Sequence, residues 1–271
     1  MSISPAIDQN VRVDPTAVVS PGATLGEGVE IGPFCRVGDD VILERGVKLL
    51  SHVVVDGASR LGEDVVAHPF SVIGGPPQHT GYRNEKTALT VGPRTVIREH
   101  ATINLGTPGG RGVTAVGADC FIMTAAHIAH DCQIGDNVIM ANNATLGGHV
   151  IIEKNVFLGG LCAVQQNCRV GEGAFVGGCA AAPSDIIPFA SATGNHATLS
   201  GLNIIGMKRR GMSRAAIHEV RAAFKALFHD VSGAFEDRLD TVAAQYESCD
   251  EVQKIVAFIR AGKGRALMKA Q

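Results

Sequence analysis

The sequence predicts a mainly β protein: a parallel β-helix of hexapeptide repeats with a small C-terminal α-helical domain. Apolar residues recur at every sixth position through most of the chain. The 271 residues are 45% hydrophobic and include 33 glycines, yet there is no tryptophan and only 4% are aromatic. This composition indicates a narrow aliphatic core with many tight corners. Near the C-terminus the apolar spacing changes to three and four residues, which is typical of amphipathic helices.

The hexapeptide repeat begins at Ile7 and includes 27 apolar positions, every sixth residue of 7–73, 91–103 and 116–182. A period of six fits a short strand followed by a corner, so three units close a triangular coil of 18 residues. Stacked as parallel strands, the units form about nine coils and a prism of roughly 40 Å. The residue four places after the apolar one is small and should also face inward: Ala17, Ala23, Cys35, Ser71, Ala126, Ala144, Cys162 and Ala180.

Two stretches interrupt the repeat, at residues 74–90 and 104–115. Both are rich in glycine, and the first is also rich in proline and charge. We expect each to leave the prism as a loop. Long loops on a rigid scaffold are either binding elements or harmless insertions, and we expect substrate contact more strongly for the first.

The repeat stops near Pro188, so we predict a β-helical domain over 1–188 and a connector with a helical domain over 189–271. The connector spans residues 191–210, and Ser213 is a candidate cap for the first helix. Three helices are predicted from apolar positions spaced by three and four: Ile217, Val220, Phe224, Leu227, Phe228 and Val231; Leu239, Val242, Ala243 and Tyr246; Val252, Ile255, Val256 and Ile259. This domain would cap the open sheet end or mediate oligomers.

Composition excludes several classes of function. The formal charge of −2 offers no basic excess for nucleic-acid binding. There is no apolar run of about 18 residues for a membrane span, and the N-terminus lacks the pattern of a secretory signal. The seven cysteines are an odd number without a Cys-x-x-Cys pair, which favours small buried side chains in a reducing cytoplasm.

Polar residues that could carry chemistry cluster within residues 126–150. His127, His130 and His149 fall here, with Asp131 beside His130. None occupies an inward phase of the repeat. Adding 18 residues stacks His130 near Gly148 and Gln166, and Asp131 near His149 and Asn167, on one outer face. Such a cluster predicts a functional site.

Three histidines near one another could also hold zinc, as in carbonic anhydrases built on the same kind of helix. A catalytic zinc site needs three ligands that converge on one point and leave a fourth position open. Spacing alone leaves this alternative open. A purely structural or binding β-helix is a third possibility.

Several segments resemble the UDP-N-acetylglucosamine acyltransferase family: IGPF at 31–34, SHVVVDG at 51–57, HIAHDC at 127–132, ANNATLGGHV at 141–150, GNHAT at 194–198 and KRRG at 208–211. The resemblance implies a left-handed β-helix and a homotrimer with active sites between neighbouring prisms. It also implies transfer of a 3-hydroxyacyl chain from acyl carrier protein to the 3-position of UDP-N-acetylglucosamine, the first step of lipid A biosynthesis, without a cofactor or metal.

The resemblance further implies roles for individual residues. His130 would be the general base, Asp131 would orient it, and the Gly148 N–H would meet the oxyanion. The other residues expected to contact substrate are His127, His149, Gln78, Gln165 and Gln166. Asn203, with Arg209 or Arg210, would hold the nucleotide end, and the basic stretch 208–210 could contact either the diphosphate or the acidic carrier protein. Gly178, which stacks on Gly160 and Asn142, would set the depth of the acyl groove, unless it is merely a corner glycine.

The sequence departs from the family pattern at five positions. His79 and Gly81 stand where an acidic residue and a lysine are expected, Asn104 and Gln165 replace histidines, and Ile205 replaces a glutamate. These positions line the sugar and diphosphate pocket in the family. A 3-amino analogue of the sugar, which would give an amide product, is therefore an alternative acceptor.

Overall fold

The computed structural model describes residues 10–230, 232–262 and 266–270. Most strands are two residues long, and their second residue is the apolar position of the repeat. They form three sheets. The first contains β1 Arg12–Val13, β4 Glu30–Ile31, β7 Lys48–Leu49, β10 Val66–Ala67, β13 Val96–Ile97, β16 Phe121–Ile122, β19 Ile139–Met140, β22 Phe157–Leu158, β25 Phe175–Val176, β27 Ala190–Thr193 and β28 Thr198–Leu202.

The second sheet contains β2 Val18–Val19, β5 Arg36–Val37, β8 Val54–Val55, β11 Val72–Gly75, β14 Thr102–Asn104, β17 His127–Ile128, β20 Thr145–Leu146, β23 Ala163–Val164 and β26 Ala181–Ala182. The third contains β3 Thr24–Leu25, β6 Ile42–Leu43, β9 Ala58–Leu61, β12 Ala88–Val91, β15 Val113–Val116, β18 Gln133–Ile134, β21 Ile151–Ile152 and β24 Arg169–Val170. The nine strands of the second sheet match the predicted nine coils.

From β1 to β26 consecutive strands belong to different sheets, and each of β1 to β23 pairs in parallel with the strand three places on. Arg12 pairs with Glu30, which is the predicted 18-residue register. The register widens where a loop leaves the coil, as when Ile73 pairs with Ile103 and Ile103 with Ile128. The loops lie between β11 and β12 and between β14 and β15.

The core is the narrow aliphatic column that the repeat predicts. Every repeat position from Ile31 to Ala182 is buried, whereas Val13 in the first described coil is 39% exposed. The predicted start at Ile7 lies outside the described residues. Of the small residues four places on, all but the partly buried Ala17 are buried. Three short units close around too little space for aromatic side chains, which explains their scarcity.

The third residue of most corners has a left-handed backbone. Asp131 has a φ of 61° and His149 a φ of 62°. Aspartate, asparagine and histidine are enriched in this conformation among residues other than glycine. Because Asp131 and His149 occupy the same turn position in consecutive coils, their side chains leave the prism at the same corner.

The predicted connector contains regular structure that the sequence pattern did not indicate. β27 extends the first sheet in parallel, and β28 turns back to pair with it antiparallel. Four helices follow within the described part of the chain: α1 Ile204–Arg209, α2 Arg214–Phe228, α3 Phe235–Gln245 and α4 Asp250–Ala261. Ser213 caps α2 as predicted, since its side chain accepts a hydrogen bond from the N–H of Ala216.

The helices bury most of the apolar positions that predicted them. Phe228, Ala243, Tyr246 and Ile259 are only partly buried, and Val231 lies outside the described residues. Residues 266–270 return to the prism, where Leu267 bridges Asp185. Arg169 joins the two parts of the chain, because its Nε donates to Asp185 at 2.7 Å and its guanidinium lies over the Phe258 ring of α4. No helix within the described residues is both long and apolar enough to cross a bilayer.

Candidate active site

The candidate site lies at the corner between the second and third sheets, where β17 leads into β18. We call this turn and the one above it the active-site corner; it comprises residues 129–132 and 147–150. The N–H of His149 donates to the carbonyl oxygen of His130 at 2.9 Å, so the two turns are stacked. The predicted stacking of His130 with Gly148 and of Asp131 with His149 follows directly.

His130 and Asp131 form a hydrogen-bonded pair. Nδ1 of His130 lies 2.8 Å from Oδ2 of Asp131. An ionised carboxylate can only accept, so this contact places the ring proton on Nδ1 and leaves the Nε2 lone pair available. The imidazole is largely buried, with 12% of its side chain exposed, and the carboxylate is completely buried. The arrangement suits a general base with a fixed tautomer.

Asp131 projects outward from the prism at the corner, as predicted, but its carboxylate is completely buried because the loop of residues 105–112 folds over it. The Thr107 N–H lies 3.1 Å from Oδ2, the Thr107 hydroxyl donates to Oδ2 at 2.6 Å, and the backbone N–H groups of Arg111 and Gly112 donate to Oδ1 at 2.8 and 3.1 Å. A Cβ at Gly110 would lie 2.5 Å from the carboxylate, so glycine permits this close approach.

Two opposing effects act on the pKa of Asp131. Burial raises it, but the hydrogen bonds from Thr107, from His130 and from the loop backbone together outweigh burial and lower the pKa below its ordinary value. The carboxylate therefore remains ionised beside the imidazole. Thr114 adds a further contact, because its hydroxyl accepts from the N–H of Asp131 at 2.8 Å. No feature of the repeat or of the family resemblance pointed to Thr107, Arg111 or Thr114.

Two more histidine rings pack against His130. The His149 ring lies edge-on with its centroid 5.0 Å away, and the His79 ring, carried by the first loop, lies 5.5 Å away. Burial lowers the pKa of His149, which favours its neutral form. His127 contacts Thr102 instead, with Nδ1 2.7 Å from the hydroxyl oxygen, and burial lowers its pKa as well.

Gly148 lies directly against the His130 ring. A Cβ at this position would come within 2.6 Å of Cε1 and 2.7 Å of Nε2, so a side chain here would displace the imidazole. Within the described residues, the backbone N–H of this buried glycine donates to no acceptor. A donor beside the reactive nitrogen can stabilise an oxyanion that forms there.

The predicted nucleotide contacts lie elsewhere in the chain, around α1. The Asn203 side chain caps this helix by accepting from the N–H of Gly206 at 2.9 Å, and its amide donates to the Gly173 carbonyl at 3.0 Å. Arg209 and Arg210 are exposed at the helix end. Asn203 and the two arginines line a cavity of about 560 Å³ between α1 and the first sheet. The apolar wall of this cavity includes Phe157 and Phe175. This cavity shares no lining residue with the active-site corner.

Gly178 occupies the corner between the first and second sheets, and its predicted stacking is observed. A Cβ there would lie 3.3 Å from the Gly160 carbonyl oxygen, and one at Gly160 would lie 3.4 Å from that of Asn142. Gly178 is exposed, so this face of the prism is a shallow furrow without side chains at two successive coils.

His130, Asp131 and His149 could together approach a cation, since one ligand atom from each lies within 4.8 Å of the others. The donor set fits a catalytic zinc poorly. Both carboxylate oxygens of Asp131 already accept hydrogen bonds from the loop, and Nδ1 of His130 is bound to that carboxylate. The geometry favours proton transfer by His130 over metal ligation.

Comparisons with known proteins identify the family. A model described as UDP N-acetylglucosamine O-acyltransferase, domain 2, matches residues 185–268, and one of bacterial transferase hexapeptide repeats matches 5–39 and 114–148. The acyl-[acyl-carrier-protein]–UDP-N-acetylglucosamine O-acyltransferase of Azorhizobium caulinodans is 52% identical over 255 residues, with 94% of each chain covered. This chain belongs to the UDP-N-acetylglucosamine O-acyltransferase family.

Two further relatives agree. The protein of the same name from Caulobacter vibrioides is 51% identical and covers 95% of this chain and 97% of its own length. The solved UDP-N-acetylglucosamine acyltransferase from Campylobacter jejuni is 34% identical, with a TM-score of 0.89 over 96% of this chain and 100% of that one. The predicted left-handed parallel β-helix with C-terminal helices is confirmed, and the protein is an acyltransferase.

The departures from the family pattern fall on both sides of the site. His79 contacts the His130 ring, and its Nδ1 accepts from the N–H of Gly81 at 3.2 Å, which fixes the loop tip. Asn104 is buried and donates to the Pro76 carbonyl at 3.1 Å, so it anchors that loop rather than lining an open pocket. Ile205 is 66% exposed on α1. The remaining predicted substrate contacts are exposed: Gln78, Gln165 and Gln166.

Proposed function

We propose that this protein transfers a 3-hydroxyacyl chain from acyl carrier protein to the 3-hydroxyl of UDP-N-acetylglucosamine, the first step of lipid A biosynthesis, in the cytoplasm. The observation that carries the proposal is the His130–Asp131 pair beside the Gly148 N–H, in a chain of this family. The names of its relatives specify an acyl carrier protein as donor and UDP-N-acetylglucosamine as acceptor.

The reaction follows from the geometry of the pair. Nε2 of His130 takes the proton from the sugar 3-hydroxyl as its oxygen attacks the thioester carbonyl carbon. The negative charge that develops on the carbonyl oxygen is met by the Gly148 N–H. The tetrahedral intermediate then breaks its C–S bond, and His130 returns the proton to the departing thiolate. Asp131 keeps the ring in the required tautomer and stabilises its cationic form.

The other site residues bind substrate in this proposal. His127, His149, Gln78, Gln165 and Gln166 contact the sugar and the acyl chain near the active-site corner. Gly178 sets the depth of the acyl groove.

A homotrimer is part of the same proposal. Asn203, Arg209 and Arg210 hold the nucleotide end, yet they surround a cavity separate from the corner within one protomer. A neighbouring prism that presents its α1 to this corner would complete the site.

A transfer assay tests the proposal. The purified protein is offered UDP-N-acetylglucosamine or its 3-amino analogue, with 3-hydroxyacyl carrier proteins of several chain lengths, and the product is identified by mass spectrometry. We expect an ester at the 3-position. An amide formed in preference would establish the 3-amino acceptor. Failure to transfer with either acceptor would contradict the proposal, and stoichiometric bound zinc in the same preparation would favour a metal hydrolyase.

A further inference from the structure

A second cavity opens beside the active-site corner, on the outer face of the third sheet. Its volume is about 390 Å³. We call it the basic cavity. Its wall combines the tip of the 105–112 loop, the corner, the third sheet and the end of α4, and its lining residues are Gly109, Gly110, Arg111, His149, Ile151, Asn167, Arg169 and Ala261.

The polar side chains of this wall are cationic or neutral. Arg111 and Arg169 are cations, His149 and Asn167 can donate hydrogen bonds, and no lining residue carries a carboxylate. The Arg111 side chain donates to the backbone carbonyl oxygen of Asp131 at 3.0 Å. Among the described residues, no carboxylate lies within ion-pair distance of its guanidinium. This positive charge is therefore available to a ligand.

Arg169 adds a second observation. Its Nε is paired with Asp185, but its Nη2 is buried and has no hydrogen-bond partner in the described chain. A buried donor without a partner is uncommon and costs free energy. Arg169 therefore adds to the cavity lining a second guanidinium, one of whose donors is not compensated by any group of the described chain.

The nearby carboxylate of Asp131 forms its hydrogen bonds with other groups and is not paired with the Arg111 guanidinium. Five donor groups already surround that carboxylate: two from Thr107 and one each from Arg111, Gly112 and His130. Guanidinium groups bind phosphate oxygens with charge-assisted hydrogen bonds of fixed geometry. The lining therefore suits a phosphate group better than a carbonyl or a hydroxyl.

We infer that the basic cavity binds a phosphate group of one of the two substrates, with Arg111 as its principal ligand. The inference rests on the proposed function, because it takes its anion from the substrates of that reaction. His149 belongs to both sites and its ring lies 5.0 Å from that of His130, so a phosphate here would be held next to the reacting groups. The source is either the diphosphate of the nucleotide sugar or the phosphodiester of the carrier's prosthetic arm.

The test is a kinetic comparison of Arg111→Ala and Arg111→Lys with the wild type. The alanine variant keeps the backbone N–H that holds Asp131, so the catalytic pair should remain intact. Arg12→Ala is the matched control, since it removes an exposed arginine in the first described coil. KM is measured for UDP-N-acetylglucosamine, for 3-hydroxyacyl carrier protein, and for the acyl chain on pantetheine with and without its phosphate.

Arg111→Ala should raise one KM by about tenfold, as expected for loss of a charge-assisted hydrogen bond at a solvent-accessible site, and Arg111→Lys should restore part of it. If the arm phosphate is the ligand, the variant should also lose the advantage of phosphopantetheine over pantetheine. If the diphosphate is the ligand, only the KM of the nucleotide sugar should rise. Unchanged KM values for every substrate, in a preparation whose wild type transfers acyl groups, would overturn the inference. A wild type without transfer activity would instead contradict the proposed function.

Discussion

The hydrogen bonds from the 105–112 loop to the Asp131 carboxylate form what we call the clamp. Replacing Thr107 with valine removes one of these bonds while keeping the shape of the side chain. It removes the hydroxyl that donates to Oδ2 at 2.6 Å and leaves the Thr107 N–H in place. The carboxylate is completely buried, so water cannot replace the lost donor. A hydrogen bond to a charged group contributes about 1.5–3 kcal/mol, and we expect the free energy of unfolding to fall by that amount.

The same change should reach the chemistry through His130. If poorer positioning of the imidazole raises the activation free energy of acyl transfer by about 1.4 kcal/mol, kcat falls about tenfold. The pKa of Asp131 should also rise toward its ordinary value. A depressed carboxylate pKa contributes stability that is present above about pH 3.9 and lost below it. The stability difference between variant and wild type should therefore shrink as the pH falls toward and below that value.

Urea unfolding at several pH values and steady-state kinetics measure both effects. Thr95→Val is the matched control, because Thr95 is also fully buried and its hydroxyl contacts only neutral groups: it donates to the Gly117 carbonyl at 2.9 Å and accepts from the Cys120 N–H at 3.1 Å. The control should lose about 1–3 kcal/mol, since two neutral hydrogen bonds are removed, and keep its kcat. If Thr107→Val keeps the wild-type kcat, and its stability relative to the wild type does not change with pH, the Thr107 hydroxyl does not position the catalytic pair.

Three further predictions concern other parts of the site. Gly148→Ala should lower kcat by about 10²–10³ because its Cβ would displace the His130 ring and the nearby donor; steady-state kinetics showing normal kcat would contradict this. Gly178→Met should shift preference toward shorter acyl chains, measured as a relative loss of kcat/KM for the longest carrier of about tenfold or more, and an unchanged chain-length profile would remove Gly178 from the groove. Burial lowers the pKa of His127 and His149, so stability should fall as the pH drops below about 6.5. Replacing both with glutamine should flatten that dependence in chemical denaturation, and equal slopes would contradict it.

The prism could be predicted because each hexapeptide carries its own burial signal. An apolar residue at one phase and a small one four places on are enough to define a coil, and the 18-residue count then places Gly148 against His130. The antiparallel return of β28 has no such signal, since its five residues lie beyond the end of the repeat and show no period of their own. The division of the chain near residue 188 into two domains stays a prediction.

The parts of the site that come from loops could not be predicted in the same way. Thr107 and Arg111 lie 24 and 20 residues from Asp131 and outside the repeat, so counting by 18 does not bring them together. The glycine-rich composition of that loop was the only indication of close backbone approach. His79 was noted as a departure from the family, but only the structure places its ring against His130.

The central claim is that His130 transfers the proton that drives acyl transfer. The most direct test is kcat/KM for 3-hydroxyacyl transfer to UDP-N-acetylglucosamine by His130→Ala, measured against wild type on protein whose circular dichroism and oligomeric state match. The account predicts a loss of about 10²–10⁴. Activity within tenfold of the wild type in a correctly folded variant would contradict it.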